Sequence, residues 1–424
     1  MAIYLEKVIE ALSNGTRNFT RHTFLISALT LICLTVLQGW IVALPWETDN
    51  GSLIGVSVGL SEVGCLIGAT ILSIFPSHRR RVHCVLFAIG VVGCLLGIFA
   101  ITQSVHTPLL LISFTLIGTA TSIQPITVIV PVQDEMQTAV NANAYSMCRQ
   151  LSYATTLLFA LLYDTFGWNF MCCLTILLFL LAGWVTWLVE KEGADKLLLV
   201  ATNPTSFKHS FHILPKFVWV ILLAFSASGF TEGINNSMSV LVLKDIWEAE
   251  SVEAFLRSML SPLIAVVIYP FIACFLTYRK QFLLAMFLLG TFISLYPLMP
   301  NALLGFLMLI FWNIGKTCMH SSVYSVIREA TDDGSIIARL VALEQWTCTL
   351  FYGFAGAIGG PLFGVGYWVP FVFAGIIQIM LLVASFMAFV YHDSSSPESF
   401  WFSARNALNK PIPKSESQSY LVLE

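Results

Sequence analysis

The chain has 424 residues, 57% of them hydrophobic and 11% charged, with a mean hydropathy of +0.82 and a formal net charge of −3. A water-facing domain carries roughly 25% charged residues, so this composition excludes a soluble globular protein and requires a surface that faces lipid. The small acidic net charge leaves no basic footprint for nucleic acid, which needs phosphate-neutralising Lys and Arg.

A helix crossing the hydrocarbon core needs about 20 apolar residues. Apolar runs bounded by charge, proline or glycine predict twelve such spans. The first six cover 22–46, 52–75, 82–102, 107–131, 142–163 and 168–189. The second six cover 216–241, 253–275, 281–298, 302–327, 336–361 and 369–391, the last two abutting across Pro361–Gly366. This divides the chain into an N-terminal segment (1–21), a first six-helix bundle (22–189), a middle loop (190–215), a second bundle (216–392) and a polar tail (393–424). The first 21 residues are too polar for a cleaved signal, and the apolar run after them is too long for one.

Basic residues orient the spans, because cytoplasmic loops are enriched in Lys and Arg. Lys7, Arg17 and Arg21 precede the first span, and Arg79, Arg80 and Arg81 follow the second. Lys191, Lys196, Lys208 and Lys216 mark the middle loop, Arg279 and Lys280 follow the eighth span, and Arg405, Lys410 and Lys414 lie in the tail. All fall on one side of a twelve-span chain, and the other side receives Lys244 and Arg257 beside Asp245, Glu248, Glu250 and Glu253. The expectation is a multi-pass protein of the plasma membrane, surrounded by lipid and monomeric, with both termini cytoplasmic. The ten cysteines all fall in spans without paired metal-ligand spacing, and read as small apolar residues. Neither a metal nor an organic cofactor is expected.

The halves are related at an offset near 200. Ser61, Phe75, Arg79-Arg80 and Gly90 align with Ser261, Phe275, Arg279-Lys280 and Gly290, and Ile117-Gly118 with Ile314-Gly315. Two six-helix repeats about an axis along the membrane normal are a transporter plan. With the twelve spans, the polar middle loop and a basic turn after spans two and eight, residues 20–392 resemble the major facilitator superfamily. The family's Gly- and Asp-containing basic turn between spans two and three is reduced here to Phe75-Pro76-Ser77-His78-Arg79-Arg80-Arg81. The basic cluster is kept, and the acidic residue and glycines are missing. The glycine- and proline-rich stretch that drug/proton antiporters carry in span five is absent there. A similar run, Gly356 to Gly364 with Pro361, stands in span eleven, where small residues also suit close helix packing.

Charges within spans are costly and therefore informative. They are Glu62 (span two), Arg149 (five), Glu232 (seven), Lys316 (ten) and Glu344 (eleven), with His320 one turn beyond Lys316. Tyr145, Arg149, Ser152, Thr156 and Tyr163 form a polar stripe on span five, and Asn313, Lys316, Thr317, His320 and Tyr324 another on span ten. Ser228, Glu232, Asn235, Asn236 and Ser239 form a third on span seven. Such stripes face protein or water rather than lipid, which predicts an all-α membrane protein whose two pseudo-repeats enclose a polar central cavity.

The resemblance implies that spans one, four, seven and ten surround this cavity, with two, five, eight and eleven beside them. The function it implies is secondary active transport of a small organic solute, an organic ion by preference, and the chain is not an enzyme. Lys316 and Arg149 would present positive charge to an anionic or zwitterionic substrate. Glu232, Glu62 or Glu344 would exchange the coupling proton. Structural ion pairing is the alternative for each charge, and helix packing for Glu62 beside Gly55 and Gly59. Gln38 and Gln124 could hydrogen-bond a substrate or a neighbouring helix, and Arg79, Arg80, Arg81, Arg279 and Lys280 would form a cytoplasmic gate. Trp40, Trp46 and Trp368 read as interfacial anchors. Competing functions are a drug/proton antiporter-type exporter and a non-transporting receptor or scaffold on the same fold.

Overall fold

Lipid offers backbone amides no hydrogen-bond partner, so a spanning chain must satisfy them within its own helices. The computed structural model describes residues 21–74, 79–102, 106–122, 152, 155, 162–188, 216–249, 251–330 and 334–393, and in these the regular structure is all helical. The first helices are α1 (Arg21–Glu47), α2 (Gly51–Ile74), α3 (Arg79–Thr102), α4 (Thr107–Thr121) and α5 (Leu162–Leu188). After the middle segment come α6 (Lys216–Leu241), α7 (Ser251–Phe275), α8 (Tyr278–Leu295), α9 (Ala302–Ala330), α10 (Gly334–Val365) and α11 (Val369–Asp393). Nine helices among the described residues are long and apolar enough to cross a membrane. The protein is a multi-pass integral membrane protein.

Local chemistry explains several boundaries. Asn50 opens α2 by accepting the Leu53 amide (3.1 Å) on its side-chain oxygen, and Asn301 does the same for Leu304 (3.0 Å) at α9. Gly167, at φ +75°, lies within α5 between the predicted fifth and sixth spans, in a backbone conformation that L side chains avoid. The end of α6 widens into a π-helical turn, Val242–Ile246. Pro361 does not end span eleven as expected. It lies inside α10, which runs on to Val365 and leaves residues 366–368 as the link to α11. A membrane helix absorbs an internal proline when its neighbours and local adjustment satisfy the freed carbonyl.

Helices α2, α3 and α4 pack together, as do α6 through α11, and α10 crosses between the groups to pack along α2. That seam is built from glycines. A Cβ on Gly59 would sit 2.7 Å from the Gly353 carbonyl, and one on Gly356 would sit 3.0 Å from the Gly59 amide. Gly55 against the Gly356 carbonyl and Gly360 against that of Gly51 are closer still. Backbone meets backbone there, which only glycine permits.

Candidate functional site

The deepest charges meet at one point. Lys316 of α9 donates to Oε1 of Glu232 on α6 at 2.6 Å, and the two side chains are 3% and 5% exposed. Taking two ions out of water is repaid only by a close, well-oriented pair, so the stripes on spans seven and ten are interlocked by charge. One turn away on α9, the Trp312 ring lies under the Lys316 ammonium, 5.6 Å from its centroid, an attraction between cation and ring quadrupole. One turn the other way, His320 meets Phe225 of α6 edge to face at 5.2 Å.

Polar groups extend this layer. Asn236, one turn from Glu232, donates to the Tyr352 hydroxyl of α10 at 2.8 Å. Tyr352 packs with Leu37 and Ile41 of α1 and Val58 of α2, so it links the charged layer to the first group of helices. Two buried polar atoms of this layer lack a hydrogen-bond partner among the described residues: Asn235 Oδ1, and the indole N–H of Trp312, whose residue is 2% exposed.

The other predicted site residues lie around this centre. Asn313 gives its amide to Ser261 of α7 (3.0 Å) and the Leu309 carbonyl (2.9 Å), fastening α9 to α7. Glu344 is fully buried on α10, one turn before Cys348, which lies against Gly229 of α6. Glu62 is half-buried on α2 where Gly353 of α10 approaches its Cβ. Gln38 is buried on α1. Arg149 and Gln124 lie outside the described residues, as do the middle loop, the N-terminal segment before Arg21 and the tail beyond Asp393. Of the basic cluster, Arg81 is exposed, and Arg279 is buried with its guanidinium 5.0 Å from the Phe389 ring centroid of α11. Lys280 is half-buried, and Arg79 and Arg80 begin α3.

Two features escaped the sequence reading. Lys244, in the π-turn of α6, donates to Asp49 Oδ1 (2.6 Å) and the Pro45 carbonyl (2.9 Å), joining α6 to the α1–α2 turn. The Lys244 ammonium holds the exposed Asp49 carboxyl below the usual carboxylate range, first by hydrogen bonding and then by its charge. Trp40 is not an interfacial anchor. It is fully buried, donates to Thr175 Oγ1 of α5 at 3.0 Å and packs edge-on against Phe114 and Trp168. An amphipathic ring serves a helix contact as well as a headgroup layer when a hydroxyl takes its N–H.

Among the described residues no group of His, Cys, Asp and Glu could hold a metal ion, and the eight cysteines whose side chains are described are free. No protein-family model and no curated protein matches the chain. Solved structures do. The nucleoside transporter NupG, in a point-mutant form, has a TM-score of 0.66 at 13% identity over 87% of this chain and 100% of that one. An auto-inhibited POT family peptide transporter has 0.65 at 12% identity over 90% and 100%. The human organic anion transporter MFSD10 has 0.60 at 12% identity over 86% and 100%. The chain shares the fold of these membrane transporters.

Proposed function

We propose that the chain is a secondary transporter that moves a small organic solute, preferentially an organic ion, across the plasma membrane by alternating access coupled to protons. The observation that carries this reading is the buried Lys316–Glu232 pair. An uncompensated charge at that depth is expensive, so protonating Glu232 releases Lys316 for an anion, and losing the anion restores the pair. Solute and proton are thereby linked through one charge balance. The fold neighbours, a nucleoside, a peptide and an organic anion transporter, support the class. The α2–α10 seam and the Lys244–Asp49 bridge join the helix groups at the end where α1 meets α2. In the sequence-derived topology that end is extracellular, and its contacts would part in the outward-open state.

The test is a thermal-shift panel of anions, cations, vitamins, sugars and drugs on the detergent-purified protein, since a ligand of the folded state stabilises it by mass action. A stabilising solute is then followed into proteoliposomes under a pH gradient. Glu232→Gln should abolish gradient-driven accumulation, and Lys316→Ala should abolish binding. Wild-type transport by both variants refutes the proposal.

A further inference from the structure

The Trp312 indole is a buried donor without an acceptor, set beside a buried cation. Its residue is 2% exposed, its N–H finds no acceptor among the described residues, and its ring centroid is 5.6 Å from Lys316 Nζ. Leaving such a donor dry costs about 1–3 kcal/mol, and packing alone could have been served by Phe, which has no N–H. The neighbouring acceptor, Glu232, is engaged by Lys316. A group that accepts from both Nζ and the indole N–H would satisfy both, and it must be anionic to replace Glu232 at the ammonium. A carboxylate has two acceptor oxygens and can take one donor on each. Aromatic rings flank the pair along α9, Trp312 one turn to one side of Lys316 and the Phe225–His320 contact one turn to the other, which favours a solute with an aromatic body.

We infer that Lys316 and Trp312 together form a carboxylate-binding subsite and that the transported solute is an aromatic carboxylic acid. The inference rests on the transporter reading above and names its substrate class. In the loaded state the solute carboxylate accepts from Lys316 Nζ and Trp312 Nε1, and protonated Glu232 no longer competes. Trp312 is thus a specificity-determining residue.

The experiment uses the purified full-length chain and pairs of probes that differ in charge: benzoate, nicotinate and indole-3-acetate against benzamide, nicotinamide and indole-3-acetamide. At least one acid should stabilise the protein while its amide does not, and Lys316→Ala should remove the effect. Trp312→Phe keeps an aromatic ring and deletes the donor. It should weaken the acid about tenfold or more, the size of a hydrogen bond to a charged group, without creating amide binding. Should Trp312→Phe fail to fold, replacing the indole by isosteric benzothiophene makes the same deletion without changing shape. Equal stabilisation by acid and amide, no response to any acid, or wild-type acid affinity without the N–H would each overturn the inference. Transport of a cation or neutral solute that depends on Glu232 and Lys316 would overturn it while leaving the transporter reading intact. Wild-type transport by Glu232→Gln and Lys316→Ala would instead refute that reading.

Discussion

Two lysine–carboxylate pairs in this molecule have the same 2.6 Å separation and opposite surroundings. In Lys316–Glu232 the side chains are 3% and 5% exposed, and in Lys244–Asp49 they are 24% and 87% exposed. Coulomb attraction scales inversely with the effective dielectric, so equal geometry does not mean equal energy. The buried pair is held by the cost of leaving either ion alone. The exposed pair competes with water and salt at every moment and is worth about 1 kcal/mol or less. The first suits a site whose occupancy must be decided by a proton or a solute. The second suits a contact that must open and close cheaply.

The largest effect should come from breaking the buried pair on one side. Lys316→Ala or Glu232→Ala leaves an uncompensated buried ion and should destabilise the fold by about 3–5 kcal/mol, read as a lowered thermal midpoint in detergent. The double replacement Lys316→Met with Glu232→Leu removes both ions and should restore most of that stability. It should not restore transport. A double variant that transports like the wild type would show the pair to be a structural fastening only.

The glycine seam is next. Gly55→Ala places a methyl against the Gly356 carbonyl, and backbone cannot swing aside as a side chain can. A cost of about 1–3 kcal/mol follows from overpacking. Because the clash exists only while α2 and α10 are closed on each other, the variant should also favour the parted arrangement. A cysteine introduced at Val58, which is buried against Tyr352 while the seam is closed, should then label faster in Gly55→Ala than in the parent. Tyr352→Phe keeps the ring against Leu37, Ile41 and Val58 but strands the Asn236 amide, and should cost about 1 kcal/mol.

Much of this was legible in the sequence because lipid simplifies the code. Spans such as 216–241 and 302–327 reappear as α6 and α9 within a few residues, since twenty apolar residues in hydrocarbon can only be a helix. The prominence of Glu232 and Lys316 was legible for the same reason: charges at that depth are too costly to be incidental. Their partnership was not, because stripes on two helices do not reveal that those stripes face one another. Trp312 was hidden by its apolar character, although it stands one turn from Lys316 on the same face. Trp40 was misread because an indole near a span's end has two uses, and only the Thr175 hydroxyl decides between them. Lys244 and Asp49 are 195 positions apart, and neither carries a local signature.

The smallest predicted effect tests the exposed pair and completes the comparison. Because Lys244 lowers the Asp49 pKa in the folded protein, its contribution is fully present above the carboxylate's ordinary value of 3.8. It is lost only as pH falls through the lower folded value. Asp49→Asn should therefore behave alike at pH 7.5 and pH 5.5, so a proton-driven cycle does not open this contact by titrating it. Salt is the effective lever, since an exposed ion pair is weakened by salt, and the screening length falls to a few ångströms as ionic strength approaches ~1 M. Raising the salt from 20 mM to 500 mM should speed labelling of a cysteine at the buried Val58 position in an otherwise wild-type chain and leave the already faster Asp49→Asn variant unchanged. A response to pH between 7.5 and 5.5 that Asp49→Asn abolishes would mean that the carboxyl titrates there, and would assign the proton switch to the wrong pair.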